Sequence, residues 1–215
     1  MTDSLAIFFL LIIMPYSQFS VEDVVTQFEI TLVEKAGIFA KIPEVKTSEM
    51  LEKVLEYNVP LALAVASEKA RSEMIIAPIL IELKQQLSDN ISLFSGKDFT
   101  VDMERGLNGF CDFLISLSAE QIFINAPVIT LVEAKNDNIE SGLGQCMAEM
   151  VGAQLFNRRK GREIKTIYGT VTTGSVWKFL KLEGQVIEID LQEYYLSQVG
   201  KILGILKSGI DVNIN

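Results

Sequence analysis

The chain has 215 residues and a formal net charge of −9, with 49% hydrophobic and 22% charged residues. That suits one globular domain with a full core and excludes fibrous, repetitive or compositionally disordered classes. Histidine is absent, which removes Ser-His-Asp and Cys-His catalysis and every His metal site, so a metal must sit mainly on oxygen ligands, which points to Mg²⁺, Mn²⁺ or Ca²⁺.

Residues 5–14, "LAIFFLLIIM", form an unbroken apolar run. It is shorter than the roughly 20 residues a bilayer span requires. The residues before it include Asp3 but no Lys or Arg, and no small-residue cleavage site follows. The expectation is a hydrophobic helix or arm docking on the body or on a second subunit, as in a homodimer. A signal peptide fits less well, and a translation start at Met14 is the other alternative. Membrane association is not expected.

Ser20-Val-Glu-Asp23 predicts a capped helix. Val24, Val25, Phe28 and Leu32 continue it, and Gly37 ends it. A second helix is expected from Thr47 or Ser48 to just before Pro60. "LALAVASEKARSEMIIAPILIELKQQL" reads as a long third helix, broken or kinked at Pro78. Residues 1–60 are therefore expected as a helical segment packed on a core of residues 61–215, the whole forming one compact domain.

After Asn90 the pattern changes to strands: "ISLFSGKDFTVD", "GLNGFCDFLISLS" and "APVITLVEAK". The last is apolar on both faces and so central in its sheet. "IESGLGQCMAEMVGAQLFNRRK" is a helix with Leu143, Met147, Met150, Val151 and Leu155 on one face. Three short strands and a closing helix follow. The fold class is α/β (α+β), a mixed sheet flanked by helices. Cys111 and Cys146 have neither CxxC nor zinc spacing and are expected as buried, reduced thiols of a cytoplasmic protein without zinc.

Glu133 and Lys135 stand two apart at the end of a strand, so both side chains project to one side. Ile129 and Leu131 are expected on that same face. Asp112 interrupts the apolar strand "GFCDFL", sharing a face with Phe110 and Leu114. An aspartate there is costly unless paired or metal-bound. If the two strands pair, Asp112 and Glu133 converge on one cation, with the main-chain carbonyl of Ala134 as a third ligand.

Gly109-Phe-Cys-Asp112, then Glu133-Ala-Lys135, then a helix bearing Gln145, resembles the PD-(D/E)XK (restriction-endonuclease-like) nuclease superfamily over roughly residues 65–180. The resemblance implies a mixed sheet with flanking helices and a Mg²⁺- or Mn²⁺-dependent phosphodiesterase acting on nucleic acid, DNA first. It implies Asp112 and Glu133 as metal ligands, Lys135 as the group that orients or activates water, and Gln145 as support. An acid on the preceding helix often completes such a site; Glu73 is favoured and Glu68 second. Arg158, Arg159, Lys160 and Arg162, with Lys165, would meet phosphates.

Plainer readings stand beside these. Glu133 and Lys135 could be a surface ion pair worth ~0–1 kcal/mol. Asp112 could accept structural hydrogen bonds, Gln145, Glu73 and Glu68 could be ordinary helix residues, and the basic cluster a solvated helix end. The functional alternative from another class is a catalytically silent fold serving as a binding or oligomeric scaffold.

Overall fold

The computed structural model describes residues 14–87 and 90–214; of the apolar run at residues 5–14, only Met14 falls within them. The first helix, α1 (Val21–Phe28), starts as its sequence dictates. Ser20 Oγ accepts from the Asp23 N–H at 3.1 Å, and the Asp23 carboxylate accepts from the Ser20 N–H at 2.9 Å. It ends earlier than expected, at Glu29 in the left-handed region (φ 55°). Leu32 lies not on a helix but in a strand, β1 (Thr31–Lys35). Long-range pairing overrides the helical spacing here. The Thr31 N–H donates to the Gln185 carbonyl at 2.8 Å, and Gln185 Nε2 to the Phe28 carbonyl at 2.9 Å.

The second helix, α2 (Glu49–Val65), runs through Pro60 and stops at Ala66, again left-handed (φ 53°). Ser67 then caps a short helix, α3 (Glu68–Arg71), which continues through a π-helical turn (Ser72–Ile76) into α4 (Ala77–Leu87). So the expected long helix is broken at Ala66 rather than at Pro78. Proline 78 has no N–H for the carbonyl four residues back, Met74. That carbonyl accepts instead from Asn58 Nδ2 of α2 at 3.0 Å, and the wide turn before Pro78 makes room for its ring.

The remaining elements are β2 (Ser92–Asp98), β3 (Phe110–Ser116), β4 (Val128–Ala134), α5 (Glu140–Arg159), β5 (Ile167–Thr172), β6 (Val176–Glu183), β7 (Val186–Asp190), β8 (Tyr194–Tyr195) and α6 (Val199–Ile214). The strands make one mixed sheet in the order β1-β7-β6-β5-β4-β3-β2, with β8 also on β6. β1 runs parallel to β7 and β4 parallel to β5; the other pairs are antiparallel. The fold is thus α+β. Because β1 completes the sheet and residue 60 falls inside α2, the expected division at residue 60 does not separate two structural layers.

Each face of the sheet has its own core. One packs against α1 and α5 through Phe28, Cys146, Met147 and Met150; the other against α2, α4 and α6 through Leu51, Leu80, Ile202 and Leu206. β4 is central, and all seven of its residues are buried. Its alternation slips once. The pairing with β3 shifts between Ile115–Thr130 and Ser116–Val128. Leu131 faces α5 as expected, but Ile129 joins the opposite core, because a bulge turns one residue over. No helix among the described residues is long and apolar enough to cross a membrane.

Candidate functional site

β4 delivers Glu133 into the α5-side core, where it is 2% exposed. The ladder with β5 continues one residue past the strand, since the Lys135 N–H donates to the Thr172 carbonyl at 2.8 Å. On the other edge the pairing with β3 ends at Phe113–Val132. There the Asp112 carboxylate replaces a ladder bond by accepting from the Ala134 N–H at 2.8 Å. β3 slips too: Cys111 and Leu114 both face α5, while Phe113 and Ile115 face away. Asp112 therefore sits, half-buried, where the two strands part. The structure fixes Ala134 through its N–H on Asp112.

From α5 come Gln145 and Glu149, one turn apart and so on one face. Gln145 Nε2 donates to Glu133 Oε2 at 2.8 Å and to Glu149 Oε1 at 3.1 Å. Lys135 Nζ donates to Glu133 Oε1 at 2.5 Å and reaches Gln145 Oε1 at 3.4 Å. The lysine side chain is 19% exposed, the cluster's route to solvent. Its stem lies against α5 because position 142 is glycine: a Cβ there would stand 2.7 Å from Val171 Cγ1 and 2.9 Å from Lys135 Cε. Gly144 likewise admits the Phe19 carbonyl, which straps the helix from its outer side.

Burial, then the charges of Glu149 and Asp112, hold the Glu133 carboxyl well above the usual carboxylate range, against the pull of Lys135. Burial raises Glu149 as well, against the Gln145 hydrogen bond. For Lys135, burial favours the neutral amine, but the Glu133 carboxylate more than offsets it and the net shift is upward. The ion pair sets the lysine's state, and burial, helped by the neighbouring carboxylates, sets the acids' state: three carboxyls crowd one ammonium, and the group retains a proton that isolated acids would release.

Asp112, Glu133, Lys135 and Gln145, four positions singled out in the sequence, are thus brought together. Glu73 is not. Its carboxylate is 59% exposed and pairs with Lys69 at 2.8 Å along the same helix. Glu68, the second choice, is exposed, and its charge reaches Lys135. Glu149 was missed, although its signal is present: a carboxylate one turn after Gln145, among Cys146, Met150 and Val151, is as costly as Asp112 in its strand.

The basic residues lie at the other end of α5, about 20 Å from Gln145 at 1.5 Å per residue. Arg158, Arg162 and Lys165 line a surface cleft of ≈ 540 Å³ together with Glu163. Arg159 is tied to Asp102 at 2.6 Å and to the Val101 carbonyl, and Lys160 lies 5.9 Å over the Phe156 ring. Both cysteines are free and buried.

No group of three His, Cys, Asp or Glu side chains among the described residues stands ready-gathered around a cation position. The donor chemistry nevertheless fits a hard cation. The cluster gathers carboxylate and amide oxygens beside the Lys135 ammonium and the Cys111 thiol, and Glu149 Oε2 is buried without a hydrogen bond. Compared with protein-family models, curated proteins and solved structures, the chain matches none.

Proposed function

We propose that the protein is a Mg²⁺- or Mn²⁺-dependent phosphodiesterase of the PD-(D/E)XK type, acting on nucleic acid. The observation that carries this reading is the hydrogen-bonded meeting of Glu133, Lys135 and Gln145, with Asp112 held at the adjoining strand split. A surface ion pair would not require a buried partner on another element.

Glu133 and Asp112 would hold the cation, which supplies charge neutralisation at the phosphoryl oxygens and a more acidic bound water. Lys135, kept an ammonium by Glu133, acts as a donor and not as a base. It orients the attacking water or a non-bridging phosphate oxygen, and supports the charge that builds in the transition state. Gln145 fixes the lysine's direction from behind. Arg158, Arg162 and Lys165 fit contacts to a more distant part of the phosphate backbone, since a cleft about 20 Å along a helix lies beyond the reacting phosphate.

Supercoiled, linear and single-stranded DNA incubated with Mg²⁺ or Mn²⁺ test the reading. Wild type should cleave at least one of them, and Lys135→Ala should lose about 10²–10³ in kcat, as for removal of one oriented donor. Equal behaviour of the two proteins ends the nuclease reading. One observation favours the scaffold alternative: Glu133 and Glu149 are closed off by Gln145. A silent fold would cleave no substrate under either metal.

A further inference from the structure

Four carboxylates are buried among the described residues: Glu82, Glu133, Glu149 and Asp190. Three have work for both oxygens. Glu82 takes Ser48 and Gln86, and Asp190 takes the N–H groups of Gly37, Phe39 and Gln192 and the Tyr194 hydroxyl. Glu133 takes Lys135 on one oxygen and Gln145 on the other. Glu149 is the exception: it is 0% exposed and its Oε2 has no hydrogen bond, the Cys111 thiol beside the carboxyl being only a weak donor. A buried carboxylate oxygen without a donor costs the full desolvation of that atom, so a missing partner is the direct reading of this position.

The same place holds a second anomaly. A single amide nitrogen, Gln145 Nε2, donates to two carboxylates, Glu133 at 2.8 Å and Glu149 at 3.1 Å. A donor shared between two carboxyl groups occupies the position that a cation bridging them would take. Mg²⁺ prefers oxygens at about 2.0–2.1 Å, so the exchange asks each carboxylate to approach by roughly one ångström as the amide withdraws. This also accounts for the lack of a ready-gathered ligand group: the amide holds the acids apart.

We propose that Glu149 is a further carboxylate of the cation site, joining Glu133 and Asp112, and that Gln145 is a latch filling the cation's place in the metal-free protein. Glu149 thus takes the position otherwise sought on the helix before the sheet, where Glu73 faces solvent. The inference rests on the phosphodiesterase reading for the identity of the cation, a divalent one with oxygen preference.

Mn²⁺ binding, read by the electron-paramagnetic-resonance signal of the free ion near neutral pH, tests it without any substrate. Wild type should bind Mn²⁺. Glu149→Gln and Glu133→Gln should each weaken binding roughly 10–100-fold, and Glu73→Gln should leave it unchanged. Should Glu149→Gln fail to fold, judged by its melting curve, Gln145→Ala decides. Without two hydrogen bonds to break, it should bind Mn²⁺ about fivefold more tightly, and unchanged or weaker binding overturns the latch. If Glu149→Gln folds and binds like wild type while Glu133→Gln does not, Glu149 is no ligand and the phosphodiesterase reading survives. If wild type binds no Mn²⁺, both fail.

Discussion

Lys135 depends on the lack of a side chain at Gly142. Its stem fills the space a Cβ would need, so Gly142→Ala should push the ammonium off Glu133 and Gln145. A misplacement of about 1 Å can lower kcat by up to ~10²-fold. Mn²⁺ affinity should hold, because the atoms nearest that Cβ position belong to Val171 and Lys135 and not to a carboxylate; a parallel loss of affinity would show a general collapse of the site. The crowded acids make a second prediction. Glu133 and Glu149 keep protons in the folded protein that the unfolded chain releases above the ordinary value of 4.5. The folded state then binds more protons over that window, so stability of the metal-free protein should fall as pH rises from 4.5 into the alkaline range. Glu149→Gln should flatten that slope in melting curves. At this scale the motif was legible because Glu133-Ala-Lys135 and Asp112 are chemically out of place in apolar strands. Glu149 carries the same mark, a carboxylate among Cys146, Met150 and Val151, but its link to Glu133 through Gln145 exists only once α5 packs on β4. The bulge that turned Ile129 over leaves no trace in a two-residue alternation.

Among the elements, the helical hairpin before the sheet carries the most local conflict. Ala66 ends α2 in the left-handed region, which costs an L-residue roughly 1–2 kcal/mol and glycine much less. After allowing for the freedom glycine adds to the unfolded chain, Ala66→Gly should stabilise by about 0.5 kcal/mol, seen as a higher midpoint in urea; a decrease would show that the strain lies elsewhere. Asn58→Ala removes the donor that serves the Met74 carbonyl in place of residue 78 and should cost about 1 kcal/mol. These two sites also explain where the sequence misled. Pro78 is a visible breaker, but Asn58 and the wide turn absorb it. Alanine 66 carries no stop signal at all, and Pro60 is carried through by a helix anchored on buried Leu51 and Ala62. β1 was hidden because Leu32 continued the spacing of α1 by chance, and only β7 reveals it as a strand.

For the whole molecule, a basic cleft stands about 20 Å along α5 from the buried acidic cluster. If Arg158, Arg162 and Lys165 touch phosphates, replacing all three with alanine should reduce the slope of log K against log salt by about 2–3, at roughly 0.9 per phosphate contact. Cleavage of an oligonucleotide too short to span the 20 Å of α5 should be unaffected. An unchanged slope would return the cluster to the status of a solvated helix end. The central strands, the helix after β4 and the α+β class followed from hydrophobic period alone. The strand order and the joining of the N-terminal segment to the sheet did not, because both are set by contacts between residues far apart in the chain.

The pairing of β1 with β7 sets Thr31 opposite Val186. During synthesis β1 is made before β7 and has no partner until β7 has emerged. Local helices and the β2–β3–β4 hairpins can form earlier, since their contacts close short loops. The sheet edge at β1 must wait, leaving Leu32 and Val33 uncovered in the nascent chain. A stalled chain ending before Val186 should therefore present β1 to proteases and to edge-seeking strands of other chains, so that a strand made late shields one made early.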